Sequence, residues 1–269
     1  MIAPNPAADR KSILFRIKCQ DTADGPSYWH DFEVPYQGGL NVISCLQYIA
    51  AHPVTTDGKN VRPPVWDSGC LEEVCGACTM IINGQVRQSC SALIDDILAG
   101  KGIGASKDGR TITLEPMSKF PVVRDLFVNR ERMFENLKKV KAWVPIDGTH
   151  SLGAGPRESP EQQDLRYGLS RCMTCGCCLE ACPQFLKDNN FIGAQAIGQA
   201  LLFNLHETGK ELAPERLDVM MEPGGITDCG NAQNCVKVCP KEVPLLTAIA
   251  QIGRQTTVHA VKSFFTGKK

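Results

Sequence analysis

Two cysteine runs in the second half of the chain share one spacing, and this spacing restricts the possible folds more than any other feature. The first run consists of four cysteines and a proline: Cys172, Cys175, Cys178, Cys182 and Pro183. The second, CGNAQNCVKVCP over residues 229–240, repeats the spacing but has Ala232 where the second cysteine would stand. The complete run is C-x2-C-x2-C-x3-C-P, which bacterial ferredoxins use to bind iron–sulfur clusters. The repeat therefore predicts a fold built around two neighbouring cluster sites.

Ligand counts differ between these two sites. In two-cluster ferredoxins the fourth cysteine of each run binds the other cluster. This crossing gives one set of four predicted [4Fe–4S] ligands: Cys172, Cys175, Cys178 and Cys239. The other set has three: Cys182, Cys229 and Cys235. Because Ala232 offers no thiolate, the sequence predicts a [3Fe–4S] centre there, and we hypothesise that the alanine raises the potential of this last acceptor.

A third group of cysteines lies earlier in the chain and has a different spacing. Residues 70–78 read CLEEVCGAC, a C-x4-C-x2-C pattern typical of plant-type [2Fe–2S] ferredoxins. An Asn83-Gly84 turn predicts a hairpin that brings Cys90 beside Cys78. The predicted [2Fe–2S] ligands are Cys70, Cys75, Cys78 and Cys90. A structural zinc ion bound by four cysteines is the alternative.

The remaining cysteines are interpreted as non-ligands. Cys19 and Cys45 fall on apolar faces and are expected to be buried packing residues, and Cys177 lies off the spacing of its run. The N-terminus has no apolar segment resembling a secretion signal, so we expect reduced thiols, and clustered thiolates in reducing compartments indicate metal binding.

Charge and hydropathy exclude some partners. The 29 basic and 29 acidic residues balance, so no long-range field favours nucleic acid. No apolar run approaches the ~20 residues that a membrane-spanning helix needs. Membrane association is therefore expected to depend on a partner.

The hydrophobic pattern changes along the chain. Period-two strands are predicted from Ser12, Tyr28 and Thr111, and a helix is predicted after Asn41 as its cap. From about residue 120 the segments have the lengths of helices, beginning with VVRDLFVNRERMFENLKKVKAW. A loop is predicted over residues 146–163. Further helices are predicted around DLRYGLSRC, GAQAIGQALLFNLHE and PLLTAIAQIGRQ. The fold class is α+β, with a [2Fe–2S] ferredoxin-like domain over 1–118 and an α-helical domain carrying the [4Fe–4S] and [3Fe–4S] clusters over 119–269.

With CLEEVCGAC, RCMTCGCCLEACP and CGNAQNCVKVCP in this order, the chain resembles the iron–sulfur subunit of succinate dehydrogenase and fumarate reductase, respiratory complex II. The resemblance covers nearly the whole length and includes KFPVVRDLFVNRERMF and KVKAWVPIDGT. It implies an N-terminal β-grasp domain followed by an all-α domain that resembles a two-cluster bacterial ferredoxin.

The resemblance also implies an electron relay. Succinate is oxidised at FAD in a separate flavoprotein subunit, and electrons pass singly through the three clusters to a quinone at the interface with a membrane anchor. The chain itself has no catalytic dicarboxylate site and is expected at the cytoplasmic face of the cell membrane, held there by the anchor. Alternatives are a fumarate reductase subunit, a free ferredoxin-like carrier and a zinc-organised scaffold.

The quinone end departs from ubiquinone-reducing members of the family. Those have a His after the first cysteine of the last run and a Trp after the first C-P, where this chain has Gly230 and Lys187. It is more similar to menaquinone-linked enzymes, whose anchor is a cytochrome b with haem b. Pro183, Lys187 and Gly230 are candidates for a quinone site, and the alternative for each is packing at a subunit interface.

Overall fold

The chain forms two compact units in the computed structural model, which describes residues 11–145 and 157–267. The units are Met1–Asn129 and Arg130–Lys269. Their division lies further along the chain than the predicted boundary near residue 118, because residues 120–129 fold as part of the first unit. The predicted loop over 146–163 lies largely outside the described residues.

A mixed five-stranded sheet is the centre of the first unit, with the strand order β2-β1-β5-β3-β4. The strands are β1 (Ser12–Gln20), β2 (Ser27–Pro35), β3 (Thr79–Ile82), β4 (Gln85–Gln88) and β5 (Thr111–Glu115). Strand β1 pairs antiparallel with β2 and parallel with β5, and β3 pairs antiparallel with both β4 and β5. The mixed sheet confirms the predicted ferredoxin-like domain and its strands.

Alternation along β1 explains how this sheet builds a core. Ile13, Phe15, Ile17 and Cys19 point to one face and are at most 3 % exposed. Helix α1 (Val42–Ala51) begins as predicted after Asn41, whose side-chain oxygen accepts a hydrogen bond from the Ser44 N–H at 2.8 Å. Its buried side belongs to the same hydrophobic cluster, to which the short helix α2 (Ile94–Leu98) also contributes.

The predicted helix from about residue 120 is wrong for its first part. Strands β6 (Val122–Arg124) and β7 (Phe127–Val128) form an antiparallel hairpin instead. Asp125 adopts a left-handed conformation at the turn, with φ 49°. Its buried carboxylate accepts hydrogen bonds from the N–H groups of Gln20 at 3.0 Å and Val65 at 2.9 Å. These bonds hold the hairpin against the rest of the first unit.

The second unit is helical. Its helices are α3 (Glu131–Lys139), α4 (Pro160–Ser170), α5 (Cys177–Glu180), α6 (Gly193–Leu205), α7 (Ala213–Met221), α8 (Asn234–Lys237) and α9 (Leu245–Thr266), with 3₁₀ turns at Gly209–Leu212 and Ile226–Asp228. Helix α6 packs against α9 and α4. The predicted loop is wrong for residues 160–163, because Ser159 accepts from the Gln162 N–H and caps α4 there.

A buried arginine holds part of this unit together. Arg216 has no exposed surface and donates to the carbonyl oxygens of Lys141, Trp143 and Gly209 at 3.0, 2.9 and 2.6 Å. These bonds tie the segment after α3 to α7.

Within residues 11–145 and 157–267, no helix has both the length and the apolar character that crossing a bilayer requires.

Candidate iron–sulfur sites

The loop over residues 70–78 turns its backbone N–H groups towards cysteine sulfurs. Leu71 and Glu73 have positive φ values of 61° and 56°, uncommon for non-glycine residues. In this conformation the N–H groups of Glu72 and Val74 each lie 3.3 Å from the Cys70 Sγ. The two uncommon backbone conformations thus occur where N–H groups are directed at a cysteine sulfur.

Cys75 receives the same type of bond. Its Sγ accepts from the N–H groups of Cys70 and Ala77, both at 3.4 Å. Gly76, with φ 72°, lies within this turn. Backbone N–H groups directed at sulfur stabilise thiolates and the sulfurs of a bound cluster.

The thiols of this loop differ in acidity because their surroundings differ. The N–H groups of Glu72 and Val74 lower the pKa of Cys70 from 9.0 to about 7. Burial raises the pKa of Cys78 to about 12. The protein alone does not compensate the negative charge of a deprotonated Cys78, whereas a bound metal cluster would.

The predicted hairpin register is confirmed. Thr79 pairs with Gln88, so the chain returns beside the loop after the Asn83-Gly84 turn. The Cys90 N–H lies 3.4 Å from the Cys78 Sγ. The structure therefore brings Cys90 next to Cys78, as the hairpin predicts.

A cavity in the helical unit contains the four cysteines of the crossed set. Its lining includes Cys172, Cys175, Cys178 and Cys239. Desolvation raises the pKa of Cys172 to about 11 and that of the Cys178 thiol well above its usual range, and neighbouring thiolates of the set raise both further. Four thiolates in this site would be stabilised by a positive charge bound among them.

Cys177 also lines this cavity and is fully buried. It is the first residue of α5, and hydrogen bonds from Cys177 lower the pKa of Cys175. Because Cys177 lies beside the predicted ligands, its role as a non-ligand stays a prediction.

A second cavity of the helical unit contains the set of three. Its lining includes Cys182, Cys229, Cys235 and Ala232. Desolvation is the main cause of the raised pKa of Cys235, and the charges of Cys182 and Cys229 raise this pKa further. The apolar lining of the cavity includes Phe191, Leu246 and Ile249. The structure thus separates the seven cysteines of the two runs into the sets that the crossing rule predicts.

The two runs also repeat in backbone conformation. Thr174 and Gly176 have φ values of 53° and 87°, and their equivalents Asn231 and Gln233 have values of 50° and 60°. A four-residue helix follows in each run, α5 in the first and α8 in the second. Ala232 therefore occupies in the second run the backbone position that Cys175 occupies in the first.

The three quinone-site candidates lie in different surroundings. Pro183 lines the cavity of the three-cysteine set, whereas Lys187 is an exposed residue of the segment that follows. Gly230 is exposed, and a Cβ atom there would lie 2.7 Å from the Gln184 Nε2. Because Gln184 also lines the cavity, it connects Gly230 to Pro183.

Sequence reasoning missed two glutamines. Gln184 is described above, and Gln195 lines the four-cysteine cavity while being 1 % exposed. The signal for Gln195 was a polar residue in an otherwise apolar helix start, GAQAIG, which we interpreted only as helical. Cys19 and Cys45 are buried as predicted, and desolvation raises the pKa of each to about 12.

No three His, Cys, Asp or Glu side chains within residues 11–145 and 157–267 are arranged around a single metal ion.

Comparisons with known proteins agree with these sites. A family described as 2Fe-2S iron-sulfur cluster binding domain matches residues 12–135, and one described as 4Fe-4S dicluster domain matches residues 168–243. The succinate dehydrogenase iron-sulfur subunit of Bacillus subtilis (strain 168) is 51 % identical over 258 residues, covering 96 % of this chain and 98 % of its own.

More distant relatives match across most of the chain. The fumarate reductase iron-sulfur subunit of Mycobacterium tuberculosis (strain CDC 1551 / Oshkosh) is 30 % identical over 233 residues, 86 % of this chain and 87 % of its own. A chain of the Mycobacterium smegmatis Sdh1 complex in the apo form has the same fold, with a TM-score of 0.70 at 19 % identity over 91 % of this chain and 95 % of that one.

Proposed function

The chain belongs to the succinate dehydrogenase iron–sulfur subunit family, and on this premise we propose that it relays single electrons through three clusters from a flavoprotein to a membrane quinone. It is an electron-transfer subunit of an oxidoreductase complex, with a [2Fe–2S] and a 4Fe–4S-type dicluster domain. The proposed route runs through the [2Fe–2S], [4Fe–4S] and [3Fe–4S] centres in turn.

The observation that carries the proposal is the separation of the cysteines into three sets. The [2Fe–2S] ligands are Cys70, Cys75, Cys78 and Cys90; the [4Fe–4S] ligands are Cys172, Cys175, Cys178 and Cys239; the [3Fe–4S] ligands are Cys182, Cys229 and Cys235. Each of the two sets in the helical unit lines its own cavity, and cysteine thiolates are the usual ligands of such clusters.

Ala232 determines the type of the last cluster in this proposal. It stands where Cys175 stands in the first run, so its backbone is already placed for a ligand that the methyl group cannot supply. A cluster lacking one iron differs in net charge from a [4Fe–4S] centre, and cluster type and charge are among the terms that set the potential. A higher potential at the end of the relay favours electron transfer to the quinone.

The chain's residues hold the clusters and control their surroundings. Bound clusters accept and release one electron at a time. Around the three-cysteine set, Phe191, Leu246 and Ile249 supply apolar lining. Around Cys70, the N–H groups of Glu72 and Val74 stabilise negative charge on sulfur. Burial and hydrogen bonds to sulfur are the means by which a protein tunes such centres.

The partners follow from the family. The flavoprotein with its FAD oxidises succinate to fumarate, and a cytochrome b subunit with haem b holds this chain at the cytoplasmic face of the membrane. Succinate oxidation is preferred over fumarate reduction because identity to the succinate dehydrogenase subunit is 51 % and that to the fumarate reductase subunit is 30 %. Gly230 and Lys187, which replace the His and Trp of ubiquinone-linked members, support menaquinone, and Pro183, Lys187 and Gly230 remain the proposed quinone-site residues.

Low-temperature EPR on the anaerobically purified complex tests the cluster assignment. We expect a [3Fe–4S] signal in the oxidised complex and the other two centres to appear on stepwise reduction. Ala232→Cys should gain a fourth iron and lose the oxidised-state signal, because an oxidised [4Fe–4S] centre is diamagnetic. A second [4Fe–4S] signal, with a lower potential, should appear instead on reduction. Ala260→Cys, on the exposed side of α9, is the matched control and should change nothing. An Ala232→Cys spectrum identical to wild type would overturn the ligand assignment.

A further inference from the structure

A buried amide lines the cavity of the four-cysteine set, and one end of it has no protein partner. Gln195 is the third residue of α6 and is 1 % exposed. Its Nε2 donates to the Thr174 Oγ1 at 3.3 Å. Its Oε1 is buried and has no hydrogen-bond partner.

No side chain in the surroundings of Gln195 bonds this free end. The same cavity is lined by the apolar side chains of Met173, Val243 and Leu245, by the cysteine thiols and by Lys241, and the Gln195 Oε1 has no partner among them. Buried amide groups in folded proteins nearly always find hydrogen-bond partners, so an unpartnered one facing a cavity indicates a group that binds there.

The nature of this group decides which end of the amide faces it. The oxygen and nitrogen of a glutamine amide have nearly the same shape, so their assignment depends on the hydrogen-bond network. The Thr174 hydroxyl can donate as well as accept. Turning the Gln195 amide over keeps the contact with Thr174, now with Oε1 as acceptor, and directs Nε2 at the cavity. The sulfurs of an iron–sulfur cluster accept hydrogen bonds and carry negative charge, so they select this orientation.

We propose that Gln195 donates a hydrogen bond to a sulfur of the [4Fe–4S] centre and thereby raises the reduction potential of this centre. The inference rests on the proposed function, because it requires the cluster in this cavity. Reduction adds negative charge to the cluster, and an N–H donor stabilises the reduced form more than the oxidised form. The interaction is strong because the site is buried and the local dielectric constant is low.

Gln195 would then act together with backbone donors in the same site. The Val243 N–H lies 3.4 Å from the Cys239 Sγ. Gln195 differs from such donors because a side chain can be replaced without disturbing the backbone. It is therefore a residue that tunes the middle cluster of the relay, positioned by α6 and by Thr174.

EPR-monitored redox titration of the purified complex tests the proposal with Gln195→Leu, which keeps the size of the side chain and removes the donor. We expect a lower potential for the [4Fe–4S] centre and unchanged potentials for the other two. Gln199→Leu, one turn further along α6 and outside the lining of the cavity, is the matched control and should leave all three unchanged. A [4Fe–4S] potential equal to wild type in Gln195→Leu would overturn the inference.

A second measurement needs no variant and covers the case in which Gln195→Leu fails to assemble. Wild-type complex carrying ¹⁵N only in glutamine side-chain amides is studied by pulsed EPR in the reduced state. Gln195 is the glutamine in the lining of this cavity, so a ¹⁵N coupling to the [4Fe–4S] centre is expected. A [4Fe–4S] signal without this coupling overturns the inference alone, whereas the absence of any [4Fe–4S] signal from wild type overturns the proposed function.

Discussion

The loop of the first unit and the two cavities of the second unit hold their cysteines by different means. In the loop, Cys70 and Cys75 are close in sequence, partly or fully exposed, and bonded to backbone N–H groups. In the helical unit the sets combine runs more than forty residues apart, and Cys175, Cys178 and Cys235 are at most 9 % exposed. One site is made by local backbone geometry, and the other two are made by tertiary packing.

This difference concerns what each unit needs in order to fold. The first unit has a hydrophobic core of its own between the sheet and α1; Cys78 and Cys90 belong to it, whereas Cys70 and Cys75 do not. The helical unit has buried thiols with raised pKa values at its centre, and its two runs each contribute to both cavities. Metal binding and folding are coupled when ligands become ordered only together. We therefore expect the clusters to stabilise the second unit much more than the first.

Replacing one ligand in each unit gives the largest expected effect. Cys178→Ser should abolish the [4Fe–4S] centre, weaken the neighbouring [3Fe–4S] centre because the runs cross, and unfold the helical unit. Cys75→Ser should affect the [2Fe–2S] centre alone and leave the sheet of the first unit intact. Iron content, EPR of each centre and far-UV circular dichroism of the purified chain measure these results. Retention of both helical-unit clusters in Cys178→Ser would contradict the coupling.

Two glycines, one in each unit, have the same positive φ but different surroundings. Substituting each of them distinguishes the cost of a steric clash from the cost of the backbone conformation. Gly193 and Gly39 both have φ 81°. A Cβ atom at Gly193 would lie 2.1 Å from the Leu179 Cδ2, and one at Gly39 would meet nothing within 4 Å. Leu179 belongs to α5, between two predicted ligands, so its displacement would disturb both cavities.

Gly193→Ala should therefore lower the free energy of unfolding by about 3 kcal/mol, from overpacking and a left-handed alanine. Gly39→Ala should lower it by about 1 kcal/mol, from the backbone conformation alone. Denaturant titration checks both, followed by cluster absorbance for the helical unit and by circular dichroism for the first unit. Equal effects of the two substitutions would mean that α5 can move without cost.

The sequence predicted features that depend on neighbouring residues and missed those that depend on distant ones. The alternation in β1, the Asn41 cap and the Asn83-Gly84 hairpin are local, and the structure confirms each of them. The β6–β7 hairpin was predicted as helix, because the left-handed Asp125 is stabilised by N–H groups at Gln20 and Val65. No periodicity within residues 120–130 contains this information.

The sites divide in the same way. Cysteine spacing predicts the three sets, because cluster geometry restricts the spacing of ligands within a run. The place of Gln195 beside Thr174 could not be predicted, since it depends on how α6 packs against the first run. Spacing predicts ligands, whereas the residues that tune them are fixed by packing.

Thiol reactivity in the cluster-free chain sharpens the comparison within the first unit. The pKa of Cys70 is lowered to about 7, and those of Cys19 and Cys45 are raised to about 12. Because only thiolates react rapidly, alkylation of Cys70 should reach half of its maximum near pH 7, while Cys19 and Cys45 remain unmodified at pH 9. Peptide mass spectrometry after iodoacetamide treatment measures all three. In denaturant the three should react alike, and a difference that persists there would rule out the folded loop as its cause.

The smallest expected effect is a pH dependence confined to the helical unit. The His206 Nδ1 accepts from the N–H groups of Thr208 at 3.2 Å and Gly209 at 3.1 Å, so the bonds require this nitrogen to be unprotonated. Desolvation lowers the pKa of His206, nearby Arg166 lowers it further, and Glu207 opposes this.

Because the pKa is lower in the folded than in the unfolded chain, the unfolded chain binds more protons as the pH falls below about 6.5. The contribution of His206 to stability is therefore complete above that pH and decreases as the pH falls through the folded pKa. His206→Asn supplies a non-titrating acceptor in place of Nδ1 and should flatten the dependence between pH 7 and 5 in denaturant titrations followed by cluster absorbance. If wild type and His206→Asn lose stability in parallel as the pH falls, the pH dependence belongs to other groups. The stability of the first unit, followed by circular dichroism, is the control and should be the same in both proteins.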